Sequence, residues 1–185
     1  MSTRPPQYAW STVFPRTFRW LRAVLLATAL SLPLGAPRAQ AQDLPQECQE
    51  AMETRSPQAQ VSLFTSCLET GRLSGGTKAT TLKQRAVAYM HLGQHQRAIN
   101  DVNEAIKLKP GDADNYYLRG FSYRALGQHQ RAIEDCNKAL SIEPDNAGAY
   151  GVRAFAYKAL GNLGQARSDA QRALKLDPRA KVPTF

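Results

Sequence analysis

From residue 79 onward the apolar residues recur at spacings of three and four in paired blocks, and a glycine at 93, 127 and 161 splits each pair. That spacing puts the apolar residues on one face of an α-helix, and a glycine between two periodic blocks marks a helix stop and a turn. Pro110, Pro144 and Pro178 follow the second block of each pair, where a ring that blocks the helical hydrogen bond ends the helix. The pattern therefore predicts helix hairpins, one after another.

The hairpins are copies of one unit. GQHQRAI occurs at residues 93–99 and again at 127–133, and the three prolines are each 34 residues apart, which sets units at 79–112, 113–146 and 147–180. In each unit position 8 is small (Ala86, Gly120, Ala154), position 11 is tyrosine (Tyr89, Tyr123, Tyr157) and position 15 is glycine. Positions 20 and 27 are alanine throughout (Ala98, Ala132, Ala166; Ala105, Ala139, Ala173). Small residues at 8 and 20 let two helix backbones approach, and alanine at 27 lets the next hairpin nest. A single hairpin cannot bury both its faces, so the units must stack.

This set of small, aromatic, glycine, alanine and proline positions, kept in register in three copies over residues 79–180, resembles the tetratricopeptide repeat family. The resemblance implies an all-α fold, a right-handed superhelical stack of antiparallel hairpins, and a role in binding proteins or peptides.

Position 7 is arginine in every unit (Arg85, Arg119, Arg153) and position 23 is aspartate (Asp101, Asp135, Asp169). Each arginine is expected to pair with the aspartate of its own hairpin. The alternative is an arginine ladder for a carboxylate ligand, which needs those side chains free, and a matched aspartate in each copy argues against it.

In the family the inner surface is lined by the first helix of each unit, mainly at positions 2, 5, 9 and 12. The resemblance therefore assigns Thr80, Lys83, Val87 and Met90, then Asp114, Tyr117, Phe121 and Arg124, then Gly148, Gly151, Phe155 and Lys158 to a groove. Its centre would be Tyr117, Phe121 and Phe155, with Lys83, Arg124 and Lys158 around them. Such a surface suits a peptide with apolar anchors and some acidic character, although packing could fill part of it. Some family members clamp a carboxylate with lysine and asparagine at positions 5 and 9. Here those positions hold Lys83 and Val87, Tyr117 and Phe121, Gly151 and Phe155, so that clamp is not expected.

Ahead of the first full unit, residues 42–76 carry two short helical patterns around Ser56-Pro57, read as a truncated hairpin, with GRLSGG at 71–76 as a flexible joint. Cys48 and Cys67 fall on opposite helices of that hairpin, within reach of a disulfide if the chain is exported. Closing such a loop would stabilise the short hairpin by roughly 3 kcal/mol; two unpaired core cysteines are the other reading. Cys136 takes a position held by Val102 and Ala170 in the other copies, so a buried, inert thiol is expected.

Residues 1–22 contain four arginines and no acid, residues 23–36 read AVLLATALSLPLGA, and Ala39-Gln40-Ala41 has the small-x-small form that signal peptidase accepts. These features predict an export signal over 1–41, cleavage after Ala41 and a periplasmic location. A 14-residue apolar run is short for a spanning helix, which needs about 20 residues, and too continuous for an amphipathic organelle presequence. The net charge of +9 changes meaning once placed: five arginines precede Asp43, leaving 19 basic against 15 acidic side chains, or +4, from residue 42. Interspersed charge of that size gives little case for nucleic acid.

His91, His95 and His129 have no accompanying metal-ligand spacing, and Gly-rich phosphate loops and nucleophile elbows are absent from the sequence. No catalytic site, metal or cofactor is expected. After Pro178 the sequence reads RAKVPTF, so the last hairpin is expected to be left uncovered and open to a partner or to a homodimer through residues 147–176. The reading is an exported adaptor or scaffold for a protein or peptide partner. Its alternative is an assembly component that associates through that last edge.

Overall fold

The computed structural model describes residues 45–185, which form eight helices: α1 (Gln46–Glu53), α2 (Pro57–Glu69), α3 (Gly75–His91), α4 (His95–Leu108), α5 (Ala113–Ala125), α6 (His129–Ile142), α7 (Ala147–Ala159) and α8 (Leu163–Leu176). The export signal and the cleavage after Ala41 lie outside the described residues. Among the described residues no helix is long and apolar enough to cross a membrane.

Local chemistry sets the helix ends. Ser56 caps α2, its Oγ accepting from Ala59 N at 3.4 Å, with Pro57 at the first helical position, where a missing N–H costs nothing. Asn146 caps α7 by accepting from Ala149 N at 2.8 Å. The first helix of each full unit stops at a left-handed glycine, Gly93, Gly127 or Gly161, with φ of 70°, 75° and 80°. At each stop two backbone bonds reach back, as in Gln94 N to Tyr89 O at 2.8 Å and Gly93 N to Met90 O at 3.0 Å. Glycine takes this backbone region without steric cost, so the two helices of a hairpin are joined by a very short turn.

Close helix approach explains the small residues. Ala86, Ala98, Ala105, Ala132, Ala139, Ala154, Ala166 and Ala173 are fully buried. A Cβ on Gly120 would stand 3.2 Å from Ala132 O and 3.2 Å from Cys136 Sγ. The core is thus a row of small clusters along the stack, such as Ala86, Ala98, Val102 and Leu118, the last contributed by the next unit.

Each helix packs on the next in sequence, and the first helices of neighbouring units also touch, α3 with α5 and α5 with α7, whereas no pair of second helices packs comparably. A stack whose first helices lie closer together than its second helices curves with the first helices inside. That is why α3, α5 and α7 share an inner surface.

Two expectations change. Gly75 and Gly76 do not belong to a flexible joint: they form the first turn of α3, capped by Ser74 Oγ accepting from Thr77 N at 3.3 Å. A serine cap satisfies a helix-end donor and overcomes the low helix propensity of two glycines. The last hairpin is not bare either, because residues 181–185 lie along α7.

Candidate peptide groove

The three position-7 arginines are structural. Arg85 Nε and Nη2 donate to the two carboxylate oxygens of Asp101, both at 2.7 Å. Arg119 does the same to Asp135 at 2.8 and 2.7 Å, and Arg153 to Asp169 at 2.7 Å twice. The carboxylates are buried. Hydrogen bonding to these aspartates, partly opposed by burial, raises the pKa of each guanidinium. The remaining arm of each fork crosses to the preceding unit: Arg85 Nη1 to Thr65 Oγ1 at 3.1 Å, Arg119 Nη1 to Asn103 Oδ1 and Arg153 Nη1 to Asn137 Oδ1, both at 2.7 Å. With every arm engaged, no arginine ladder is open to a ligand. The sequence held a signal for the crossing bonds, asparagine at position 25 in the first two units, but only stacking gives it meaning.

The residues assigned to the groove divide into three groups. Lys83 is neutralised, with Nζ 2.9 Å from Asp112 Oδ2 and 3.2 Å from Asp114 Oδ2 on the next unit. Burial works to lower its pKa, and the two carboxylates outweigh it and raise it. Val87, Met90 and Tyr117 are half-buried against the first core cluster. Tyr117 also fills the space over Gly148, where an added Cβ would come within 2.9 Å of Tyr117 Cε2; burial raises its phenol pKa. These side chains hold the first helices together and are not open anchors.

Phe121, Arg124 and Phe155 make the third group. Arg124 Cζ sits 4.9 Å from the ring centroid of Phe121 on its own helix and 5.1 Å from that of Phe155 on α7. Its Nε is buried and has no hydrogen-bond partner, and no carboxylate among the described residues pairs with it. A cation held between aromatic faces is attracted to both rings; its Nε is closed off, and its Nη groups make no hydrogen bond or ion pair among the described residues.

His95, the first residue of α4, joins this group from the neighbouring unit. Its ring centroid lies 6.2 Å from that of Phe121, and its Nδ1 is buried without a partner. Burial, and secondarily the charge of Arg124, lowers its pKa from the ordinary 6.5. The sequence marked His95 only as a residue of the repeated GQHQRAI string, matched by His129, with no metal-ligand spacing around it. Its approach to Phe121 depends on how two hairpins stack.

At the last unit the surface is occupied. Lys158 Nζ donates to Thr184 O, Lys158 and Arg167 both lie over the Phe185 ring, and Gly151 faces Lys181 O. Thus Phe121, Arg124 and Phe155 are brought together as a candidate site, whereas Lys83, Tyr117 and Lys158 serve contacts within the chain. No group of residues suited to hold a metal is present among the described residues.

Tetratricopeptide repeat profiles match residues 79–112, 113–146 and 147–179. No curated protein matches the chain. Among solved structures, the Arabidopsis OM64 TPR domain is similar at 31% identity and TM-score 0.56, over 58% of this chain and 89% of that one. The first TPR of Spaghetti (RPAP3), bound to the HSP90 peptide SRMEEVD, is similar at 29% identity and TM-score 0.54, over 56% of this chain and 82% of that one. MamA shares the fold over 87% of this chain and 86% of its own, at 24% identity and TM-score 0.63. With three profiles matching in register and an all-helical stack of hairpins, the chain belongs to the tetratricopeptide repeat family.

Proposed function

We propose that this protein is an exported adaptor that binds an acidic, aromatic- or aliphatic-anchored peptide segment of a protein partner across Phe121, Arg124 and Phe155. The observation that carries the reading is Arg124, a guanidinium stacked between two rings with a buried, unanswered Nε. A carboxylate arriving there gains charge-assisted hydrogen bonds, and the rings beside it offer apolar contact. Support also comes from the RPAP3 TPR domains, whose peptide SRMEEVD is rich in carboxylates. The binding chemistry proposed here differs from a lysine–asparagine clamp, since position 9 holds Val87, Phe121 and Phe155. Export to the periplasm is part of the proposal and rests on the basic, apolar and Ala-Gln-Ala stretches of residues 1–41. An oxidising compartment would join Cys48 to Cys67, whose Cα atoms lie 5.2 Å apart, a separation that suits a disulfide.

The test is affinity capture from an envelope fraction by the wild-type chain beside Arg124→Gln and Phe121→Ala/Phe155→Ala variants of unchanged helix content. Loss of one specific protein from both variants supports the groove; undiminished capture refutes it. A second reading, assembly through the last hairpin, draws on the exposed Leu163 and Leu174 of α8. Light scattering across a concentration series decides it, and a constant monomer mass removes it.

A further inference from the structure

Residues 181–185 carry no helix or strand, and they lie beside α7. A Cβ on Gly151 would come within 2.6 Å of Lys181 O, a backbone atom, so only glycine admits the segment there. The equivalent positions in the other units carry Lys83 and Tyr117. Seven residues further along the helix, Lys158 Nζ donates to Thr184 O. Seven helical residues rise about 10 Å, and three extended residues span about 10 Å. The order of the two contacts means that the segment runs alongside α7 in the same direction.

Both anchoring contacts are to backbone carbonyls, so they accept any sequence in extended form. Selection lies in two side chains. Pro183 is buried, and a residue without an N–H can be buried here with no donor left unpaired. The Phe185 ring lies 5.5 Å from Lys158 Nζ and 5.4 Å from Arg167 Cζ, two cations from different helices.

We propose that the face of α7 bearing Gly151 and Lys158, with Arg167 of α8, is a docking site for an extended segment carrying a proline and, two residues on, an aromatic ring. Residues 181–185 are its resident occupant in cis, and a partner segment of the same chemistry competes with them. The inference extends the groove reading, on which its competition with a partner rests, because Phe155 lies on α7 between Gly151 and Lys158. A tethered segment acts at an effective concentration of order mM, and a competitor's apparent affinity falls by the fraction of sites left open.

The probe is a synthetic peptide of residues 180–185, followed by backbone amide NMR. It is titrated into the full chain, a chain lacking 181–185, and that shortened chain carrying Gly151→Ala, each checked for helix content. The peptide is expected to shift the amides from Gly151 to Lys158 in the shortened chain, to need about tenfold more in the full chain, and to have no effect with Gly151→Ala. In the full chain, Gly151→Ala alone should return the Val182 and Thr184 amides to random-coil positions. Equal shifts in full and shortened chains, or none in the shortened chain, overturn the proposal. Partner capture that needs Arg124 but ignores removal of 181–185 overturns the competition and leaves the groove reading standing. Peptide shifts at α7 without Arg124-dependent capture support the site and count against the groove.

Discussion

Arg119 grips both carboxylate oxygens of Asp135, at 2.8 and 2.7 Å, and links that pair across the unit boundary to Asn103 at 2.7 Å. The same arrangement recurs for Arg153, Asp169 and Asn137. The pair is thus both a hairpin clasp and a joint between hairpins. Replacing Arg119 by leucine strands a buried carboxylate, and removing one partner of such a pair costs about 3 kcal/mol. Urea unfolding should show that loss for Arg119→Leu and a smaller one for Arg119→Leu with Asp135→Leu. Additive losses in the double variant would show the two residues to be independent.

Tyr117 and Phe121 are one helical turn apart on α5 and should behave differently. Tyr117 packs against two core clusters and over Gly148, whereas Phe121 borders Arg124 and His95 and joins none of those clusters. Tyr117→Ala is expected to lower unfolding free energy by about 2 kcal/mol and Phe121→Ala by about 1 kcal/mol or less. A reversed order in thermal or urea unfolding would move Tyr117 back into the open groove.

His95 should titrate below its ordinary 6.5, first through burial and then through Arg124. With the folded value depressed, the unfolded chain takes the proton first as pH falls. Stability from this group is therefore present above pH 6.5 and is lost as pH drops toward the folded pKa. Imidazole NMR titration reads the value directly. Arg124→Gln should raise it, as should an acidic peptide at Arg124; an unchanged titration in Arg124→Gln would separate the two residues.

Burial pushes the Cys136 thiol up to about 12, which leaves almost no thiolate at neutral pH. A thiol reagent should leave the native protein unlabelled. In denaturant without reductant one cysteine should react if Cys48 and Cys67 are bonded, and all three after reduction. Reduction should also lower the stability of the first hairpin by roughly 3 kcal/mol. Three reactive thiols before reduction would rule the bond out.

Much of the fold was legible because its determinants are local and repeated. The left-handed stops at Gly93, Gly127 and Gly161, the proline exits and the alanine contacts each act within a few residues or one hairpin, and repetition in three copies separates them from chance. Gly75 and Gly76 misled for a related reason: two glycines lower helix propensity, but the Ser74 cap and packing of α3 on α2 and α4 decide their state.

The candidate site was legible only as a set of positions. The family resemblance assigns Lys83, Arg124 and Lys158 to the same inner surface, and nothing local distinguishes one cation from another. Lys83 finds carboxylates 29 and 31 residues away, Lys158 finds a carbonyl 26 residues away, and Arg124 finds only aromatic rings.

The sequence by itself determined the helix hairpins, their period and the arginine and aspartate positions, because turn geometry, helical periodicity and charge matching are written in neighbouring residues. Tertiary structure decided which groove residues are open. Tyr117 fills the space over Gly148, Gly151 is covered by Lys181 and His95 is brought to Phe121. Those outcomes depend on distances between segments far apart in the chain, and the stacking of one hairpin on another sets those distances.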